Sequence, residues 1–265
     1  MRVAVIFFGL ARGIPLTLDS IQRHVFACNR AAGLSLYAIA SLNLIDTITN
    51  PRNGEFAVPL TPTDAFLLDA QAYRLVRQDD AAIAPALAAA QTQPDTFGND
   101  WISVRNHLHQ LASLQRAWQL AAALGGFDYY LFLRPDLIYR DELRLPDLIA
   151  RFDGDGCLAL PAWHSFGGLN DRFAFAGATA ARAYAGRLDL VERYCTRAAL
   201  HPESLLAHAL AEAGCKVCAL PVHAQRVRAH GAIKEEDFEE SVAALPLTPQ
   251  RLLLEDGRVQ FRAPP

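Results

Sequence analysis

Residues 3–8 read VAVIFF, an unbroken apolar run closed by Gly9. A strand with one wet face alternates apolar and polar side chains. A strand without alternation has to be covered on both faces, the signature of a parallel sheet sandwiched between helices. This excludes an all-helical frame and a one-sided antiparallel sheet for the start of the chain. The next segments agree. Leu18, Ile21, Val25 and Cys28 recur at helical spacing within residues 15–32, and Gly33 supplies a stop. Residues 36–42 are a second strand. Strand, helix and strand within about 40 residues predict a right-handed βαβ unit.

Further along, residues 44–62 read as a loop rich in Asn, Pro and Thr, residues 73–77 as a short strand and residues 81–90 as a helix. Residues 101–124 carry the longest helical pattern, with Leu108, Leu111, Leu114, Trp118 and Ala122 on one stripe and Gly125 and Gly126 ending it. Residues 128–133 form an aromatic and aliphatic strand that Pro135 terminates. A helix over 143–152, strands over 157–163 and 172–176, and helices over 178–194 and 202–213 follow. Residues 216–222 are the last clear strand, and beyond Ala232 the tail is acidic and then proline-flanked. The expected fold class is α/β, doubly wound at first and more mixed later.

Composition narrows the function classes. With 265 residues, 52% of them hydrophobic and 20% charged, and a net charge of −3, the chain fits one large globular domain. It leaves little room for extended disorder. It also offers no basic excess for a nucleic-acid partner. Of 25 basic residues only Lys216 and Lys234 are lysines, so arginine abundance is a compositional bias and marks no patch by itself. The five cysteines are odd in number and irregularly spaced, which suits a reducing compartment. Cys215 and Cys218 form a CxxC pair, but it closes a helix and enters a strand, the reverse of a thioredoxin-like site, and predicts buried inert thiols. The opening apolar run is too short for a signal peptide and Arg12 interrupts it; no stretch approaches the roughly 18 apolar residues of a membrane helix. A cytoplasmic location is expected, with peripheral contact at the inner membrane as the variant.

Ligands of open parallel sheets bind beyond the carboxyl ends of the strands, and two such ends carry polar chemistry. GLARG at residues 9–13 puts Gly9 and Arg12 at a helix start, where backbone N–H groups and a guanidinium suit a phosphate. YYLFLRPD at residues 129–136 ends in Arg134 and Asp136. Asp136 can hold Mg²⁺ or Mn²⁺ with substrate phosphates, or it can pair with Arg134 as a purely structural ion pair. Asp128 lies roughly 26 Å away along an extended strand and cannot share that ion.

These elements together resemble nucleotide-sugar-dependent glycosyltransferases of the GT-A fold, bacterial enzymes of surface-polysaccharide type in particular. The resemblance rests on the first strand closing in Gly9 with Arg12 nearby, on Gln110 and residues 113–120, and on LRPD at 133–136. It rests further on GLNDRF at 168–173 with Gly177, and on Pro202 and Glu203 followed by Leu205 and Leu206. It spans most of residues 1–231. It implies a Rossmann-like GT-A fold, a mostly parallel central sheet flanked by helices, in a single domain. Residues 1–136 would be a nucleotide-binding half, 137–231 an acceptor-side half and 232–265 a tail. It implies transfer of a sugar from a nucleotide-sugar donor to a glycan or lipid-linked acceptor.

The family's usual Asp-x-Asp metal motif is reduced here to Arg134 and Asp136. The resemblance then leaves two options: Arg134 neutralises phosphate itself, or Asp136 holds Mn²⁺ or Mg²⁺ with His230 completing the shell. Asp171 is the first candidate for a base or acceptor contact, with an Asx turn as its plainer role; Glu203 is the second, with complementing a helix dipole as its plainer role. Asn170, Arg172 and His164 are candidate substrate contacts. His107 and His109 lie on different helix faces, which disfavours a shared metal. His164 reads more simply as a surface loop residue, His223 as structural, Trp163 as core, and the acidic run at Glu235, Glu236, Asp237, Glu239 and Glu240 as a solvated face. Two other classes compete: a catalytically silent GT-A-like module that binds glycan or a partner protein, and a sugar nucleotidyltransferase, which the lack of a Gly-rich basic phosphate loop disfavours. Replacing Asp136 by Asn is expected to abolish transfer and leave the fold intact.

Overall fold

Val3 to Phe8 are completely buried in strand β1 (Arg2–Leu10), as a doubly covered strand requires. Ala4, Ile6 and Phe8 join one hydrophobic core; Val3, Val5 and Phe7 join the other, on the opposite face. The computed structural model describes residues 1–50 and 53–262. The strands that follow are β2 (Ser35–Leu44), β3 (Thr47–Asn50), β4 (Glu55–Pro59), β5 (Ala72–Arg77), β6 (Tyr129–Leu133), β7 (Leu137–Tyr139), β8 (Cys157–Pro161), β9 (Ala174–Ala176), β10 (Lys216–Leu220), β11 (Ala224–Arg226), β12 (Gln250–Glu255) and β13 (Arg258–Arg262). The helices are α1 (Ile14–Ile21), α2 (Cys28–Ala31), α3 (Ala84–Ala90), α4 (Ile102–Leu124), α5 (Leu145–Ile149), α6 (Ala178–Ala185), α7 (Val191–Cys195) and α8 (Pro202–Glu212).

Nine strands form the main sheet in the order β13-β12-β10-β8-β9-β6-β1-β2-β5. Strands β5, β2, β1 and β6 are mutually parallel, the doubly wound half that the opening run predicts. Strand β9 inserts antiparallel between β6 and β8, and β8 pairs parallel with β10, so the second half is mixed. The fold is thus α/β with a mostly parallel central sheet flanked by helices. Helix α4 covers one face through Val104, Leu108, Leu111, Leu114, Ala117 and Ala121. Helix α1 covers the other through Ile14 and Ile21. No helix among the described residues is long and apolar enough to cross a membrane.

Several expectations need correction. The helix over 15–32 is continuous but passes through a π-type segment, Gln22–Ala27, before α2. The supposed loop over 44–62 contains the β3–β4 hairpin. The helix over 178–194 is broken by a 3-10 segment, Gly186–Leu190. The tail is not without strands: β12 and β13 form a hairpin that extends the sheet edge beyond β10. Cys215 and Cys218 are buried, and burial pushes both thiols up to about 11, which keeps them protonated and inert.

Candidate active site

The carboxyl ends of β1, β2 and β6 open onto a cleft of about 620 Å³. Its floor includes Gly9, Asn43, Arg134 and Asp136; α4 contributes His107 and Gln110. Asp171, Arg172 and Glu203 form one wall and Arg226, Arg228 and Lys234 another. A strand end is where the chain must leave the sheet, so polar side chains there gather at the cleft, largely buried, instead of in the apolar core: Asp136 is 2% exposed and Asn43 3%.

At the floor, Asp136 is held by two arginines. Arg12 donates to Oδ2 from Nε at 3.0 Å and from Nη2 at 2.7 Å; Arg134 donates from Nε to Oδ1 at 2.9 Å and from Nη2 to Oδ2 at 2.7 Å. Burial raises the carboxyl, but the charges and hydrogen bonds of Arg134 and Arg12 outweigh it and hold it far below the usual carboxylate range. Arg12 also reaches Glu55 Oε1 at 3.6 Å, and Glu55 accepts the Ala229 N–H at 2.8 Å. The Gly9 N–H donates to Ser113 Oγ at 2.8 Å and the Ala11 N–H to Asn43 O at 3.0 Å. The turn therefore has its leading amides already engaged.

The Asp171 side chain accepts from Gln110 Nε2 at 3.2 Å and faces Arg187 Nη1 at 3.7 Å and His107 Nδ1 at 4.0 Å. Gln110 in turn accepts from Arg134 Nη1 at 3.2 Å, which links this cluster to the Asp136 node. The Asx turn in this loop belongs to Asn170, whose Oδ1 accepts the Arg172 N–H at 3.0 Å. Arg187 is fully buried, its guanidinium 4.5 Å from the Tyr184 ring centre. Burial opposes ionisation of Asp171, but Arg187 first and His107 next lower it, so it stays a carboxylate. Burial drives His107 down to about 4, leaving a neutral imidazole. Glu203 goes the other way: burial, with the negative charge of Asp171 added, pushes it up to about 8. Two nearby acids thus differ in protonation at neutral pH, the pattern of an acid/base pair. His201 Nδ1 lies 3.4 Å from Glu203 Oε2.

The third cluster corrects the reading of the acidic run at one position: Glu235, Asp237, Glu239 and Glu240 are exposed as a solvated face requires, and Glu236 is not. Glu236 is buried, with Arg226 Nε at 2.7 Å, His164 Nδ1 at 3.2 Å, Lys234 Nζ at 3.6 Å and Arg172 Nη2 at 3.7 Å around it. His164 is correspondingly buried and not on the surface; it contacts Arg172 at 3.0 Å. Trp163 packs in the core as expected and also carries the Arg172 guanidinium 4.7 Å above its ring.

The cleft therefore gathers Gly9, Arg12, Arg134, Asp136, Asp171, Arg172 and Glu203. Asn170 and His164 stand behind it, and the exposed His230 lines a shallower neighbouring concavity of about 270 Å³. Sequence reasoning left out Arg187, Arg226, Arg228 and Lys234 as site residues and placed Glu236 on a solvated face. Only Gln110, within the resemblance, carried a signal. A divalent cation at Asp136 does not fit these residues. Such ions need several free oxygen ligands, whereas both Asp136 oxygens are engaged by guanidinium groups. Among the described residues no group of three His, Cys, Asp or Glu is placed to hold a metal.

No known family profile matches the chain, and no curated protein matches it by sequence. Solved structures do. The apo form of mouse xyloside xylosyltransferase 1 is 14% identical with a TM-score of 0.38, over 79% of this chain and 81% of that one. An active-site mutant of LgtC is 12% identical with a TM-score of 0.37, over 82% and 71%. Likeness at this level carries no argument about activity.

Proposed function

We propose that the chain is a GT-A-like glycosyltransferase, working as a single domain. It would move a sugar from a nucleotide-sugar donor to a glycan or lipid-linked acceptor, in bacterial surface-polysaccharide assembly at the cytoplasmic side of the membrane. The observation that carries this reading is the meeting, in one cleft at the strand ends, of a cation-rich wall and two acids with split protonation. The cations answer the negative charge of a departing nucleoside diphosphate. The acids answer the other half of the reaction, removal of a proton from the acceptor hydroxyl.

Between the two acids the chemistry favours Glu203 as the base. A base works best when its pKa lies near the working pH; Glu203, at about 8, is close to that, while Asp171 is held too low. In this reading the Glu203 carboxylate takes the acceptor proton as the hydroxyl oxygen bonds to the anomeric carbon. The bond from that carbon to the phosphate oxygen breaks, and the diphosphate leaves. Asp171 raises Glu203 and accepts from Gln110. The test is consumption of UDP-, GDP- and CDP-sugars by the full chain, followed as release of nucleoside diphosphate. Release by wild type and its loss in Glu203→Gln supports the proposal. Absence of both turnover and nucleotide binding across the panel sinks it.

A further inference from the structure

The buried charges of the cleft balance in two places and fail to balance in a third. At the floor, Arg12 and Arg134 face Asp136 and Glu55. At the back, Arg187 faces Asp171. Around Glu236, by contrast, Arg172, Arg226 and Lys234 share one carboxylate, and Arg228 stands near Arg226 as a further cation. Arg228 is 7% exposed and, among the described residues, has no ion pair. Arg172 keeps a buried Nη1 without a hydrogen-bond partner; Arg187 has two such nitrogens but faces a carboxylate of its own, Asp171, whereas Arg172 shares Glu236 with Arg226 and Lys234. Buried cations without partners are costly, and a protein that keeps them has a use for an anion there. Burial and the neighbouring Arg226 push both guanidinium groups down, Arg172 to about 9 and Arg228 to about 10, which registers the same excess.

Position adds a second argument. Arg228 and Lys234 line both the main cleft and the shallower concavity beside it. An anion at that junction has room for an organic substituent on either side. A carboxylate would leave most of the excess charge unanswered; a diphosphate substituted at both ends brings two negative charges and, unlike a single phosphate, spans both spaces.

Resting on the glycosyltransferase reading, we propose that the donor diphosphate binds at this junction, on Arg172, Arg226, Arg228 and Lys234, without a divalent ion. The Asp136 node then serves as a neutral floor that orients Arg134 and Gln110, not as the phosphate site.

The test uses the full chain with inorganic pyrophosphate and with UDP, GDP and CDP, each in EDTA and in Mn²⁺, read by calorimetry and thermal melts. Pyrophosphate and at least one nucleoside diphosphate are expected to bind in EDTA about as tightly as in Mn²⁺, with affinity falling as salt rises. Arg228→Gln is expected to lower affinity about tenfold while melting no lower than wild type, since it removes an unpaired charge. Lys234→Gln, on a residue 42% exposed at its side chain and so safe for folding, is expected to weaken binding two- to threefold. Binding that requires Mn²⁺, or that both variants leave unchanged, overturns this assignment and leaves the glycosyltransferase reading standing. Pyrophosphate binding in EDTA with no nucleotide bound under any condition upholds the phosphate site and sinks the glycosyltransferase reading. Silence from every probe overturns both.

Discussion

Glu203 shows how one residue's surroundings decide between two roles that its position in the sequence leaves open. Pro202 and Glu203 open α8, where an acid simply complements the helix dipole. Burial beside Asp171 changes that, because it makes the proton hard to remove. If Glu203 is the base, transfer should rise as pH increases through about 8 and then level off. Glu203→Gln should lose roughly 10²–10⁴ in kcat. The same shift has a consequence for stability. Glu203 ordinarily titrates near 4.5 and titrates near 8 in the fold, so between those values the folded chain binds more protons than the unfolded one. Stability should therefore fall as pH rises across that window. Glu203→Gln should flatten this fall, which melts at pH 6 and pH 9 would reveal as a smaller difference for the variant. An equal difference in both proteins would place the Glu203 pKa near its ordinary value.

Elements decide which residues meet, and here the legibility of the sequence divides sharply. Strands β1, β2 and β6 and helix α4 follow from unbroken apolar runs and helical spacing because burial on two faces or along one stripe writes itself into composition. The β3–β4 and β12–β13 hairpins do not, since edge strands bury little: in β12 only Leu252 is fully covered. The GLNDRF loop was legible as a motif but not as a contact. A Cβ on Gly168 would stand 2.3 Å from the Glu203 carbonyl and 2.6 Å from the Ser204 nitrogen. These are backbone atoms that cannot swing aside, and Leu169 N–H also donates to Glu203 O at 3.0 Å. Gly168→Ala should therefore push the start of α8 away from Asp171 and reduce kcat by more than tenfold, with a smaller effect on donor affinity. Gly186→Ala, where a Cβ meets nothing within 4 Å, is the control and should behave as wild type. Equal kinetics for the two variants would detach the loop from the chemistry.

Across the whole molecule, Asp136 is the point where segments distant in the sequence are tied together, and this was the least legible feature of all. Arg134 and Asp136 stand out at a strand end, and Arg12 follows a second strand end, so the three could be nominated from sequence. Nothing in one sequence tells which arginines turn inward, and neither Glu55 nor the chain at Val227 announces a link to Asp136. In the fold, the turn before α1 reaches Asp136 through Arg12, the β3–β4 hairpin through Arg12 and Glu55, and the chain after β11 through the Val227 N–H, which donates to Asp136 O at 2.9 Å. The expectation that Asp136→Asn leaves the fold intact changes accordingly. The substitution would leave two largely buried guanidinium groups with a neutral partner, and breaking a buried ion pair from one side costs about 3–5 kcal/mol. The loss is fully present at neutral pH, because Asp136 is depressed far below its ordinary value and its contribution disappears only in strong acid. Asp136→Asn should lower the melting temperature by about 10 °C and weaken nucleotide binding equally in EDTA and in Mn²⁺. A variant that melts with wild type yet loses a Mn²⁺-dependent step would return Asp136 to the role of a metal ligand, with Arg12 and Arg134 as the groups that move aside.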